Sequence, residues 1–186
     1  MCPGQEQVGP GLCKVCGMSL EPVGAAAADA GPNLELIDFQ RRLAVGVALA
    51  VPLVLVAMGP HFGLPLHNWF SPRAGQLLEL ILAAPIVLWC GLPILERGLA
   101  SIRNRRPNMW TLIAVGVGAA FLYSLAAVLA PGLFPATAAG HGGTIAVYFE
   151  AAAMIIVLLL VGQVLEIKAR ERTGDAIRAL LDLAPP

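Results

Sequence analysis

Long apolar runs bordered by charged residues divide this sequence. Four of them, residues 43–58, 74–90, 109–129 and 144–165, come near or reach the roughly 20 helical residues needed to cross a bilayer's hydrocarbon core. Arg41 and Arg42 stand directly before the first run, and Lys168-Ala169-Arg170-Glu171-Arg172 follows the fourth. The second is interrupted by Pro85 and ends at Cys90-Gly91-Leu92-Pro93, where glycine loosens a helix and proline removes a backbone donor. Beyond that break Leu95, Leu99 and Ile102 share one face and Arg97 and Asn104 the other, which predicts an amphipathic helix lying along the membrane interface. The pattern predicts an all-α membrane protein of four transmembrane helices. The second is kinked into an amphipathic cytoplasmic platform, and a short cysteine-rich metal-binding segment precedes them all. The divisions are residues 1–22 for that segment, 23–34 for a flexible Ala/Gly/Asp/Pro linker, 35–167 for the membrane region and 168–186 for a helix leading onward.

Composition supports the membrane assignment. Hydrophobic residues make up 58% and charged residues 13%, against about 25% charged in a soluble domain. Mean hydropathy is +0.76 over 186 residues, more apolar surface than a soluble chain of this size can bury. The 12 basic and 12 acidic residues cancel, so nothing in the charge favours a nucleic-acid partner. Intrinsic disorder, collagen and a disulfide scaffold fall outside this composition. The first apolar run lacks a small-residue cleavage pattern and is expected to stay in the mature protein.

Orientation follows from the basic residues, because loops rich in Lys and Arg stay cytoplasmic. Arg41 and Arg42 precede the first span, Arg97, Arg103, Arg105 and Arg106 lie between the second and third, and Lys168, Arg170, Arg172 and Arg178 follow the fourth. The two remaining loops hold only Arg73. Both termini are therefore expected in the cytoplasm.

The chemistry-bearing residues fall into two groups. Cys2, Cys13 and Cys16 open the chain, with Cys13-Lys14-Val15-Cys16 a CxxC unit and Met18 close behind. A cytoplasmic CxxC points to metal or redox chemistry, and this soft donor set suits Cu(I) or Zn(II); a reduced, unoccupied pair is the other possibility. The second group is ionisable residues at membrane depth, which are costly and so become functional candidates. Glu79 and Glu150 lie toward the outer side, where each also fits an interfacial carboxylate. Glu166 falls at the cytoplasmic end of the fourth span, at the level where Met109 begins the third. A thioether and a carboxylate at one depth would make a weak mixed site able to hand a soft ion onward, although a methionine there also fits simple packing. The interfacial arginines suit either an acidic protein partner or anionic lipid, and Cys90 a small packing residue. His61, His67 and His141 are read as solvated loop residues, and Gly116 with Ala120 as a close-packing pair.

These features, in this order, resemble the N-terminal part of a copper-exporting heavy-metal P-type ATPase. The resemblance is carried by Tyr148-Phe149-Glu150-Ala151-Ala152-Ala153, by Gly162-Gln163-Val164-Leu165-Glu166, and by the continuation through Lys168 to Gly174 and Ala176 to Leu181. Asn108-Met109 with Thr111-Leu112-Ile113, Met58-Gly59-Pro60-His61, and Ala84-Pro85-Ile86-Val87-Leu88-Trp89 add to it. It covers most of residues 36–184. The resemblance implies that Met109 and Glu166 belong to the ion-uptake site for Cu(I) and that Glu150 lies on the exit route. It also implies that the broken second helix receives a copper chaperone or metal-binding domain. The family's Gly-Gly pair at the break is Cys90-Gly91 here. The segment from Cys2 to Pro22 resembles the short heavy-metal-binding module preceding some of these pumps, with Gly4-Gln5 in place of its Met and His.

In the family, ATP and Mg2+ act on an Asp-Lys-Thr-Gly motif, and a Cys-Pro-Cys motif binds the metal; neither motif occurs in these 186 residues. Thr173-Gly174-Asp175 sits in the emerging helix, too early to be the family's phosphatase loop. The expected function is thus the front part of an ATP-driven Cu(I) exporter in a bacterial inner membrane. The competing readings are a stand-alone four-helix metal-binding or sensor protein without ATPase activity, and a Zn(II)-type pump.

Overall fold

The computed structural model describes Cys13 and residues 34–59, 71–135 and 144–182, with side chains in the last stretch through residue 173. Among these, every regular element is helical: α1 (Leu34–Met58), α2 (Pro72–Pro85) continued by a π-helical turn (Ile86–Cys90), α3 (Leu92–Arg103), α4 (Met109–Leu129), a 3-10 turn (Pro131–Leu133) and α5 (Phe149–Asp182). Leu34–Met58, Pro72–Cys90, Met109–Leu129 and Phe149–Thr173 are each long and apolar enough to cross a membrane. The protein is an integral membrane protein, with a lipid bilayer as its environment.

Local sequence explains where most helices start. Ser71 caps α2 by accepting from the Ala74 N–H, and Pro72 takes the first helical position, where a missing donor costs nothing. Asn108 and Thr111 form a reciprocal capping box at the head of α4: Asn108 Oδ1 accepts from the Thr111 N–H at 3.2 Å and Thr111 Oγ1 from the Asn108 N–H at 3.1 Å. Two helices depart from the apolar runs. α1 begins at Leu34 rather than at residue 43, because Leu36, Phe39 and Leu43 recur at helical spacing and pack on the core although polar residues separate them. α5 begins at Phe149 rather than at residue 144. The apolar residues just before it are held outside the helix instead: Gln76 Nε2 donates to the Ile145 carbonyl at 2.7 Å, and Ser124 Oγ accepts from the Tyr148 N–H at 2.7 Å. Ser124, on α4, thereby caps a helix to which it does not belong.

The core draws one or more side chains from every helix, with Phe39, Leu53, Ile86, Ile94, Val117, Phe149, Ile156 and Leu160 all buried. α5 is central, packing on α1, α2, α4 and the π-helical turn, while α3 packs on α4. Leu112, Leu122, Leu158 and Val51 project outward, as side chains that face lipid do. In such a setting helices gain nothing by hiding from lipid, so close contact and polar bonds must hold them together. Gly98 shows the first of these. A Cβ there would lie 2.4 Å from Ala114 Cβ and 2.7 Å from the Trp110 carbonyl oxygen, so α3 and α4 touch backbone to backbone. Gly98→Ala is expected to push them apart and cost about 1–3 kcal/mol, the usual range for overpacking. An unfolding midpoint in detergent equal to the parent's would refute this.

The break between α2 and α3 shows the second. The Gly91 N–H donates to the Ile86 carbonyl at 2.9 Å, a five-residue span that widens the helix into a π turn. Pro93 has no N–H, so the Trp89 carbonyl, its partner in a regular helix, is released. Arg42 on α1 donates its Nη1 to that carbonyl. Its guanidinium also lies 5.1 Å over the Trp89 ring, and its Nε pairs with Asp38 at 2.7 Å. Gly91 itself has no room for a side chain: a Cβ would sit 2.5 Å from the Val87 carbonyl oxygen and 3.0 Å from Ile156 Cδ1.

Candidate functional site

A polar cluster that joins four helices is built around Arg97 of α3. Its side chain is only 7% exposed. Nη2 pairs with Glu35 Oε1 at 2.6 Å, near the start of α1, and Nη1 donates to Gln163 Oε1 on α5 at 3.2 Å. The guanidinium lies 5.4 Å from the Phe39 ring centroid and 5.3 Å from that of Trp110. One cation therefore ties α1, α3, α4 and α5 together, and only its Nε lacks a partner.

This reverses the face expected for α3. The sequence pattern set Arg97 opposite an apolar face of Leu95, Leu99 and Ile102, as an interfacial cation. In the structure Leu99 and Ile102 are exposed while Ile94, Arg97, Gly98 and Ser101 face the bundle. The reason is packing: Gly98 and Ser101 are small enough for close approach, and Arg97 is accepted beside them because its charge is paired. Arg103, Arg105 and Arg106 are exposed at the α3–α4 turn, where Arg105 adopts a left-handed backbone (φ 53°). Ser101 Oγ donates to the Arg106 carbonyl and accepts from Thr111 Oγ1, which fastens that turn to the head of α4.

Glu166 lies one turn beyond Gln163 on α5. Its Oε2 accepts from Gln163 Nε2 at 3.0 Å, and its Oε1 pairs with Arg170 Nη2 at 2.6 Å. Met109 is the first residue of α4 and is 61% exposed. Trp110, next to Met109, and Gln163, bonded to Glu166, both contact Arg97, so both candidate ligands belong to the same end of the bundle.

Glu150 occupies the first turn of α5, where the helix dipole favours a carboxylate, and lies sixteen residues or about 24 Å of helix from Glu166. The preceding segment is fixed by Gln76 and Ser124 as described, and by aromatic contacts. Phe149 meets Phe121 edge-on at 5.7 Å, and Tyr148 lies 5.8 Å from Tyr123. Glu79 lies on α2, half-buried.

Cys90 is a buried free thiol in the π turn, 3.8 Å from the position a Cβ on Gly46 would take, so it fills the crossing of α1 and the break. Cys13 is also buried. Cys2, Cys16, Met18, the linker up to residue 33 and the three histidines lie outside the described residues. No group of three or more His, Cys, Asp or Glu side chains converges among the described residues.

Sequence reasoning missed Gln163, Glu35 and Trp110 as members of this cluster. The available signal was the small-residue stripe of Gly98 and Ser101, which marks the packed face of a membrane-embedded helix.

No protein-family model matches the chain. Curated relatives do. A copper-transporting P-type ATPase of Rhizobium leguminosarum bv. viciae is 57% identical over 187 residues, covering 99% of this chain and 22% of that protein. A silver exporting P-type ATPase of Salmonella typhimurium is 49% identical, covering 99% of this chain and 23% of its own length. A copper-exporting P-type ATPase of Legionella pneumophila is 46% identical, covering 100% and 25%. The chain thus spans about a quarter of the length of these relatives. Over nearly its whole length the chain is homologous to an N-terminal part of the copper-transporting P-type ATPases, a group of ATP-driven translocases.

Proposed function

We propose that this chain forms the ion-uptake region of a Cu(I)-exporting P-type ATPase, with Met109 and Glu166 as the first stop for Cu(I) arriving from the cytoplasm. The observation that carries the reading is the Arg97 cluster, which binds the neighbours of both residues at one end of the bundle. A thioether beside a carboxylate holds a soft monovalent ion loosely, as a transfer site must. Met109 and Glu166 are both exposed, which lets an ion reach them. Glu150, at the far end of the same helix, is the carboxylate on the way out.

On this reading both termini are cytoplasmic and the membrane is the bacterial inner one. The exposed Arg103, Arg105 and Arg106 beyond the break at Cys90, Gly91 and Pro93 form the docking platform for an acidic copper chaperone or metal-binding domain. Cys2, Cys13, Cys16 and Met18 collect copper ahead of it. ATP and Mg2+ chemistry belongs to parts of the protein outside these 186 residues. Relatives are named for copper and for silver, two metals that share a soft monovalent ion, which favours Cu(I) over Zn(II) as the cargo.

The test is the Met109→Ala, Glu166→Ala double substitution in the native-length protein. Copper efflux from cells or uptake into inverted membrane vesicles is expected to fall to background with the protein still in the membrane. Export at the parental rate would overturn the proposal.

A further inference from the structure

Arg97 determines more than packing, because its chemistry is one-directional. A guanidinium has five donors and no acceptor, and it stays charged at every pH a protein survives. Nη1 is 3.2 Å from the Gln163 amide, so the atom facing it must be the amide oxygen. With that oxygen fixed, the NH2 of Gln163 is turned the other way, and it lies 3.0 Å from Glu166 Oε2. The chain of bonds therefore has a fixed polarity: Arg97 donates to Gln163, and Gln163 donates to Glu166. It ends on a carboxylate oxygen that can only accept.

We infer that Arg97 and Gln163 are positioning residues for Glu166: the buried guanidinium sets the direction of the amide, and the amide holds the carboxylate in one orientation for an incoming soft cation. The inference rests on the uptake role proposed for Glu166. Gln163 engages Oε2, which leaves Oε1 as the oxygen open to exchange. Its present partner is Arg170, in an exposed pair of the kind that is weak and opens readily. An arriving cation replaces Arg170 at Oε1 while Gln163 keeps the carboxylate in place. Arg97 also contacts Trp110, the neighbour of Met109, so the same cation links the two halves of the site. Its burial gives the relay a stiffness that the exposed Gln163–Glu166 bond alone would lack.

Gln163→Glu separates this role from a structural one, because the two predict opposite results. The substituted carboxylate pairs more strongly with Arg97, so a merely structural position 163 is satisfied or improved. Toward Glu166 it presents only acceptors, and it repels. Loss of an outer partner of a metal-binding group commonly costs about 10–100-fold in affinity, and a loosely bound transfer site falls at the lower end.

The experiment measures Cu(I)-dependent ATP hydrolysis by the native-length protein in membranes, with Gln163→Glu, Gln163→Met and Glu166→Gln side by side. Expected for Gln163→Glu is a Cu(I) KM raised about tenfold, kcat held within about twofold, and an unfolding midpoint no lower than the parent's. Gln163→Met, which removes the relay without adding charge, is expected to raise KM in the same direction and decides the matter if the first variant does not fold. Parental KM in both Gln163 variants, with KM raised in Glu166→Gln, overturns the relay and leaves the uptake site standing. Parental KM in Glu166→Gln overturns both.

Discussion

Arg97→Ala is expected to lower the stability of the solubilised protein by about 3 kcal/mol, the lower end of the range for breaking a buried ion pair. The low end applies because the stranded partner, Glu35, is 43% exposed and regains water when the cation leaves. Other losses are not recovered. Gln163 Oε1 loses its donor, and the faces of Phe39 and Trp110 lose a cation worth about 0.5–2 kcal/mol each in a desolvated position. Truncation also leaves a cavity between α1, α3, α4 and α5. Arg97→Lys keeps the charge but surrenders the planar fork that reaches Glu35 and Gln163 together, so it is expected to fall between parent and Arg97→Ala. Thermal unfolding in detergent orders the three proteins. An Arg97→Ala midpoint equal to the parent's would remove the guanidinium as a structural element.

Arg42→Leu carries the second large effect. With the guanidinium gone, the Trp89 carbonyl keeps only the short-range contact of the Gly91 N–H and has lost the regular helical partner that Pro93 denies it. Leaving such an oxygen short of a donor costs about 1–3 kcal/mol, and the loss of the cation above the Trp89 ring adds to it. Pro93→Ala supplies the control. Restoring an N–H at position 93 offers the Trp89 carbonyl a helical donor, so Arg42→Leu should cost less in that background than alone. The double-mutant cycle is expected to show a coupling of about 1 kcal/mol, well above the scatter for independent sites. Additive effects would mean that Arg42 and Pro93 do not share that carbonyl.

The four membrane crossings were legible because hydropathy over about 20 residues depends on length and composition, which any sequence displays. α4 matches the apolar run end for end, since the Asn108–Thr111 capping box and the apolar run coincide there. The start of α1 was not legible from hydropathy. Its first turns mix Glu35, Asp38, Arg41 and Arg42 with Leu36 and Phe39, and only the helical spacing of the apolar members reveals them. Residues 144–148 misled in the opposite sense. They are apolar, but Gln76 and Ser124, distant in sequence, claim their backbone groups. Arg97 was read as an outward cation by the logic of an amphipathic helix lying at the membrane interface. Among membrane helices a paired arginine belongs inside and leucines belong outside, so the same periodicity carries the opposite meaning. Met109 and Glu166 were identifiable as candidates, but the cluster joining their surroundings depends on Gln163 and Trp110, whose roles arise only from tertiary contact.

α5 runs unbroken for 34 residues with no proline, about 51 Å of helix, whereas the hydrocarbon core needs only about 30 Å. The sixteen residues from Glu166 to Asp182 form a stiff arm of about 24 Å. A tilt of about 10° pivoting at Glu166 would swing the tip of that arm through about 4 Å. The carboxylate thus sits near the fulcrum of a lever. A small torque applied at the tip would be felt as a change of angle at Glu166, and on the uptake role proposed for that carboxylate an ion bound there would in turn resist the swing.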